Sequence, residues 1–323
     1  MYIRITIYIL LLLVATGGIP GKIFAQTPSE VLSNTISLSL VPAYPGLGEE
    51  FTATLGGYGV VKTGVRWFIN GREDSESRNK DSITLQASTI AVATTIEAVV
   101  ATSNNITVTK KYVVTPKRVD LIVTANTLVP PFYKGRSLPS SGSTITATAF
   151  VFSGGASVTN AYSYLWKVNG KAQTNTAGKG NSTFTFTPNF EKNILLSVDV
   201  QDQQGKIVAQ KSQSIPIVQP ELYFYEQNPL RGLSYTALRD PYIFVGDEMT
   251  IRAEGYFMNP TLRGTNILRQ WSIGNKTVTT QENDPQEITV SKDGNSGSSK
   301  LSFHIRNLQQ LLQGVEKSIT ITF

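Results

Sequence analysis

An all-β chain of three tandem sandwich domains behind an N-terminal export signal is the fold the sequence predicts, and three observations predict it. All three tryptophans open the same phrase: "WFINGRE" at Trp67, "WKVNGKA" at Trp166 and "WSIGNKT" at Trp271, 99 and 105 residues apart. A second phrase precedes each of them: "GEEFTATL" from Gly48, "GSTITATA" from Gly142 and "GDEMTIRA" from Gly246, at 19, 24 and 25 residues upstream. Two markers in fixed order, three times over, are the signature of a repeat, and the repeat length matches the ~100 residues of an immunoglobulin-type sandwich. The third observation is the N-terminus, where a basic start, an apolar run and a polar segment follow one another.

The marker segments read as strands. Phe51, Ala53 and Leu55 alternate with threonines, as do Ile145, Ala147 and Ala149. Period-two patterning puts one set on a core face and the other in solvent. Beyond the second tryptophan, "STFTFTP" (182–188), "ILLSVDV" (194–200) and "KIVAQKSQSIPIV" (206–218) supply further runs of the same kind. Helical periodicity is scarce; the best candidate is "LQQLLQG" at 308–314.

In an immunoglobulin-type sandwich a large aromatic on the third strand fills the space between the sheets. Trp67, Trp166 and Trp271 are therefore the candidate core residues, each with an inward aliphatic two positions on: Ile69, Val168 and Ile273. Asn70-Gly71 and Asn169-Gly170 predict two-residue turns with φ > 0 at both positions, while Gly274-Asn275 fits the alternative turn that needs it only at a leading glycine. The competing reading of the tryptophans, an exposed strip for sugar, fits poorly with an inward aliphatic two residues on.

Boundaries fall where a last strand meets proline, in "VVTPK" at Pro116 and "IVQPE" at Pro220. The division is 1–25 signal peptide, then domains at 26–116, 117–219 and 220–323. No Gly/Ser-rich linker separates the units, so short, stiff joints and an extended rod are expected.

"MYIR", "ITIYILLLLVATGG" and "PGKIFAQ" have the order of a secretory signal, with Ala25 as the cleavage residue. The apolar run is short for a span, which needs about 20 residues. Cleavage removes Arg4 and Lys22 and leaves the mature chain nearer +4 than +6. Contact with a membrane is expected only through this segment, should it stay uncleaved. An exported chain without cysteine must be stable on apolar burial and sheet pairing alone.

The phrases "VPAYPGLGEEFTATLGGYG" (41–59), "VDLIVTANTLVPPFYKGRSLPSSGS" (119–143) and "ELYFYEQNPLRGLSYTAL" (221–238) resemble the domain openings of secreted Ig-like (PKD-like) repeat proteins of candidate-phylum bacteria of the Parcubacteria type. The resemblance covers almost the whole mature chain. It implies export and a cell-surface or type IV pilus-linked role, and assigns neither substrate nor site residues. "WSIGNKT" departs from that family's usual Asn-Gly order.

Chemistry finds little to work with. His304 is the only histidine, and the alternation of Leu301, Phe303 and Ile305 predicts it exposed on the opposite strand face with Ser302 and Arg306. Without cysteine or a second histidine, a Ser-His-Asp reading has one candidate only, and the usual zinc and copper sets are excluded. Glu49-Glu50 and Asp247-Glu248 lie between a marker glycine and its strand, where the fold explains them. "ENDP" (282–285) and "KDGN" (292–295) offer calcium several oxygens without the spacing of a defined calcium loop. No metal ligand, catalytic residue or cofactor is assigned. At +4 a nucleic-acid partner has no support. Two stretches remain, "LVPPFYKGR" (128–136) and "LYFYEQNPLRGLSY" (222–235). Both are aromatic, and both stand near a predicted joint. They make Pro130, Pro131, Phe132, Tyr133, Tyr223 and Tyr225 the candidate interdomain or partner surface. The reading is an exported, non-enzymatic spacer, scaffold or adhesin at the cell surface whose partner is an unnamed surface protein or glycan. The alternative is a carbohydrate-binding accessory module.

Overall fold

The computed structural model describes residues 35–57, 62–103, 106–153, 155–174, 178–260, 266–279, 284–292, 294, 296–309 and 313–323. The signal segment lies outside them. Every regular element among them is a strand, apart from two 3₁₀ turns at Ser75–Ser77 and Thr159–Ala161. No helix among the described residues is long and apolar enough to cross a membrane.

The strands form three pairs of sheets, and each pair is an Ig-like sandwich. In the first, Ile36–Val41, Glu50–Gly57 and Ser82–Gln86 make one sheet, and Arg72–Asp74, Lys62–Ile69, Thr94–Thr102 and Thr107–Val114 the other. In the second, the marker strand Thr144–Ser153 lies between Arg118–Asn126 and Thr183–Phe186. The tryptophan strand Ser163–Val168 pairs with Asn193–Gln201, which pairs with Ile207–Pro216. In the third, the marker strand Glu248–Tyr256 lies between Glu221–Asn228 and Glu287–Ser291. There the tryptophan strand Ile267–Ile273 pairs with Ser298–Asn307. Contacts gather the chain into two compact units. One holds most of the first sandwich (35–39, 53–83 and 95–112), and the other holds 40–52, 84–94 and 113–323, which includes the second and third sandwiches whole.

The repeated phrases now have repeated geometry. Gly48, Gly142 and Gly246, which open the marker strands, all have positive φ (68°, 80° and 109°), a conformation that side chains with a Cβ avoid. The marker threonines face outward and pair with threonines of the neighbouring strand: Thr52–Thr84 at 3.2 Å, Thr148–Thr183 at 3.1 Å and Thr250–Thr289 at 2.9 Å. Such cross-strand pairs help pin register.

The hairpin after each tryptophan corrects one expectation. Asn70 and Gly71 have φ of 51° and 80°, Asn169 and Gly170 48° and 79°, and Gly274 and Asn275 51° and 67°. All three hairpins thus have positive φ at both central positions, including the one expected to need it only at its glycine. Asparagine tolerates the left-handed region, so reversing the order costs little locally. It has a cost elsewhere. Asn70 Oδ1 accepts from Thr95 N–H at 2.8 Å, and Asn169 Oδ1 accepts from Leu195 N–H at 2.9 Å, tying each turn to the long strand that pairs with its tryptophan strand. Gly274 keeps only the backbone half of that clamp, its N–H donating to Lys300 O at 3.0 Å.

Of the helix expected over 308–314, residues 310–312 lie outside the described residues; Leu308, Gln309 and Gln313 are bends, and Gly314 opens the last strand. His304 is half-buried, not exposed. Its strand is flanked on both sides, so Gln270 and Glu316 stand directly across from it and take up the space that solvent would fill.

Candidate functional site: the joint of the second and third sandwiches

The three tryptophans are 0%, 0% and 1% exposed. Each indole N–H donates to a backbone carbonyl just before its sandwich's next long strand: Trp67 to Lys80 O at 2.9 Å, Trp166 to Asn181 O at 3.4 Å, and Trp271 to Pro285 O at 3.1 Å. These rings present nothing to a ligand.

The six candidate surface residues gather elsewhere, within the unit that contains the second and third sandwiches. Residues 127–138 form a loop closed at its neck. Thr127 Oγ1 donates to Leu138 O at 2.9 Å, and Ser137 Oγ donates to Thr127 O at 3.2 Å. At its tip Tyr133 N–H donates to Pro130 O at 3.0 Å. This turn lays Phe132 and Tyr133 on the third sandwich. Phe132 meets Tyr225 edge-on at 5.3 Å and stacks on Tyr235 at 5.1 Å. Tyr133 meets Tyr256 and Phe257 edge-on at 5.4 and 5.9 Å. Tyr223 is edge-on to Tyr256 at 5.4 Å, carries the Lys317 ammonium over its ring at 3.8 Å, and donates its hydroxyl to Glu221. Pro130 is buried, and Pro131 is exposed. Edge-to-face pairs of this kind are worth ~0.5–1.5 kcal/mol each beyond the area they bury.

The polar atoms of this cluster are spent on one another. The hydroxyls of Tyr225 and Tyr256 are 2.6 Å apart in a buried pair. Burial, then that shared hydrogen bond, pushes Tyr225 well above the ordinary tyrosine range, and burial raises Tyr256 as well. Both stay neutral at any physiological pH.

Two backbone bonds and an amide network complete the joint. Leu128 N–H donates to Met258 O at 2.6 Å, and Phe257 N–H donates to Leu128 O at 2.7 Å. To make that bridge Phe257 takes φ of 60°, a conformation that costs a non-glycine residue about 1–3 kcal/mol. Gln313, fully buried, accepts from Asn259 N–H at 2.8 Å and donates to Ser140 Oγ at 3.2 Å and to Ser141 O. Asn259 Nδ2 donates to Gly142 O at 2.9 Å. Asn307 N–H holds Gln313 O at 2.8 Å, and the Asn307 side chain accepts from Gln309 N–H, which fixes the turn that presents the amide.

Sequence reasoning reached the loop tip and missed Gln313, Asn259 and the Ser140–Ser141 strip. "YFMNP" (256–260) carried a signal of its own, two more adjacent aromatics where a marker strand ends. The amide of Gln313 carried none, because a lone glutamine in a polar run reads as solvated.

One charged cluster stands apart. Arg252 is bound by Glu254 (2.6 Å), Asp284 (2.6 Å) and Glu287 (2.7 Å). Desolvation opposes the charged guanidinium, but the three carboxylates outweigh it and hold Arg252 above the usual arginine range. Asp284, a candidate calcium oxygen, is engaged here; 282–283, 293 and 295 lie outside the described residues. Among the described residues no three His, Cys, Asp or Glu side chains come together as a metal site. Arg252→Met takes away the one cation that Glu254, Asp284 and Glu287 share. It is expected to destabilise the third sandwich by about 1–3 kcal/mol, and the deficit should shrink as salt screens the repulsion. Urea midpoints measured at low and high ionic strength check this.

No protein-family model matches the chain, and no curated protein does. Solved structures similar to it include the fibronectin(III)-like modules of Clostridium thermocellum CbhA, at 12% identity over 57% of this chain and 95% of that one, with a TM-score of 0.26. The three N-terminal domains of the bacteriophage RB49 outer capsid protein Hoc match at 12% identity over 89% of this chain and 98% of that one, with a TM-score of 0.25. Bacteroides ovatus SGBP-B, solved with a mixed-linkage heptasaccharide, matches at 14% identity over 85% and 63%, with a TM-score of 0.21. Scores this low carry no argument about role; the fold rests on the sheets themselves.

Proposed function

We propose that the chain is an exported, non-catalytic repeat protein of the cell surface that acts as a spacer, scaffold or adhesin, associated with pilus machinery as its sequence resemblance implies. The observation that carries this reading is the joint. Its buried amides, tyrosine hydroxyls and aromatic faces are spent on holding one sandwich to the next, which is the investment of a load-transmitting element. The basic–apolar–polar order of residues 1–25 supports export. The test is N-terminal sequencing of the protein recovered from outside the cell. The expected first residue is at or near Gln26. Recovery of the chain in the cytoplasm with Met1 intact would remove the surface role.

One observation favours the second reading, a carbohydrate-binding accessory module. Tyr235 is 76% exposed, yet its ring is steadied from behind by Phe132. It lies where the edge strand Gly232–Ala237 bulges between its pairings with Gln227 and Tyr225. A bulge re-aims a side chain, and a rigid, half-open tyrosine face suits the apolar side of a pyranose ring. A glycan array separates the readings: a defined sugar hit lost in Tyr235→Ala favours this one.

A further inference from the structure

Lys211 is out of keeping with its place in the last strand of the second sandwich. It stands directly across from Val198, which is fully buried, so it leaves the strand on the same side as Ala209 and Ile215. Those two are buried, and Lys211 is exposed. An apolar side chain at this position would extend the core. An inward lysine also blunts an edge strand against pairing, but this one opens onto a cleft.

The cleft has a volume of about 570 Å³, within the ~300–1,000 Å³ of small-ligand sites. All of its lining belongs to the compact unit that contains the second and third sandwiches. One wall is the segment from Pro42 to Glu49. The other is the start of Arg118–Asn126 and the middle of Ile207–Pro216. Gly46 brings the first wall against the second: a Cβ there would stand 3.9 Å from Lys117 O.

The charges of the lining do not balance. Lys117, Arg118 and Lys211 face Glu49 and Asp120, which leaves one positive charge over. Both acids are engaged. Asp120 Oδ2 is 3.2 Å from the Arg118 guanidinium, and Glu49 Oε2 accepts from Gly46 N–H at 2.7 Å. Among the described residues neither Lys117 nor Lys211 has a carboxylate partner. The Lys117 ammonium lies 5.5 Å from the Tyr162 ring centroid. Tyr44, Gln210 and Ser212 add an aromatic ring, an amide and a hydroxyl to the lining.

We propose that this cleft binds a carboxylate-bearing sugar, with Lys117 and Lys211 on the carboxylate and Tyr44, Gln210 and Ser212 on the ring and its hydroxyls. A single excess positive charge matches a uronate, a monoanion, better than a dianionic phosphate. Hydrogen bonds between ammonium and carboxylate are roughly twice as strong as neutral ones, so the charge sets the selectivity. The aromatic ring and the neutral polar groups serve the rest of a sugar, which a bare anion lacks. The cleft shares no residue with the Tyr235 face. The inference deepens the carbohydrate reading by naming a sugar class, and rests on that reading.

Isothermal titration calorimetry of the mature chain with tetragalacturonate, its methyl ester and sodium phosphate tests it. Tetragalacturonate is expected to bind, the uncharged ester about tenfold more weakly or worse, and phosphate more weakly than either. Lys117→Gln and Lys211→Gln should each weaken tetragalacturonate about tenfold, the loss of one charge-assisted bond. Tyr235→Ala should leave it unchanged. The comparison of acid with ester needs no variant, so it stands even where a lysine variant fails to fold. Equal affinity for acid and ester overturns the proposal. So does phosphate binding as tight as tetragalacturonate, or binding that survives both lysine changes. Neutral-sugar binding lost in Tyr235→Ala, with no tetragalacturonate binding, overturns it and leaves the carbohydrate reading standing; no binding of any sugar removes both.

Discussion

Trp166→Ala is expected to lower the stability of the second sandwich by ~3–5 kcal/mol, the usual cost of truncating a buried tryptophan. The ring is fully buried and stacked on Phe184 at 5.6 Å, which in turn stacks on Phe186 at 5.2 Å. Val198 lies across from it, and Tyr164, also fully buried, is inward two residues before. Its indole hydrogen bond, at 3.4 Å, is long, so most of the loss is apolar contact and the cavity left behind. The neighbours have little freedom to collapse into that space. Tyr164 is held by its hydroxyl, which donates to Thr159 O at 2.7 Å. A domain's net stability is about 5–15 kcal/mol, and no disulfide stands behind this core, so the variant should be marginal. Urea denaturation followed by circular dichroism measures the effect, while Trp67 and Trp271 fluorescence reports the other two sandwiches. An unchanged midpoint would take the ring out of the core.

The strands of each sandwich were readable because their signals are local. Alternation in "STITATA", a glycine that must take positive φ, and a tryptophan ahead of a tight polar turn each act within a few residues. The turn at Gly274-Asn275 was misread within that same logic, since either residue accepts the left-handed region and composition alone does not say which does. His304 was misread because alternation tells which face a side chain is on, not how crowded that face is. The joint was legible only in part. Prolines and aromatics at 128–136 and 222–235 marked where apolar surface had to be covered. Gln313 and Ser140 are far apart in sequence and polar, and polar residues give no sign that they will be buried together. "LQQLLQG" adds a helix-like spacing of leucines, which says nothing of a buried amide. At either end of that run Asn307 accepts from Gln309 N–H through its side chain and donates its N–H to Gln313 O.

Gln313→Ala should uncouple the third sandwich from the second while leaving each folded. The wild-type amide is fully buried and satisfies the Asn259 N–H, the Ser140 hydroxyl and the Ser141 carbonyl at once. Truncation removes all three partners, and each buried polar group left unpaired costs about 1–3 kcal/mol. Water entering the vacated space recovers part of this, so a coupling loss of ~3 kcal/mol is expected. Gln313→Glu should be at least as damaging: the carboxylate keeps the acceptor for Asn259 but turns an oxygen towards the Ser141 carbonyl. Neither change touches the core around Trp166 or the core around Trp271. The loop tip and its aromatic contacts remain, so the sandwiches stay neighbours, with the amide lock released. In calorimetry the wild-type pair is expected to melt as one coupled transition, and the variant as two. Hydrogen exchange locates the change. The amides of Leu128, Phe257 and Asn259 should lose protection, while those of the central strands Asn193–Gln201 and Ser298–Asn307 keep theirs. One transition in both proteins, with protection at Asn259 unchanged, would show that the aromatic contacts alone hold the joint and that the amide network is incidental to it.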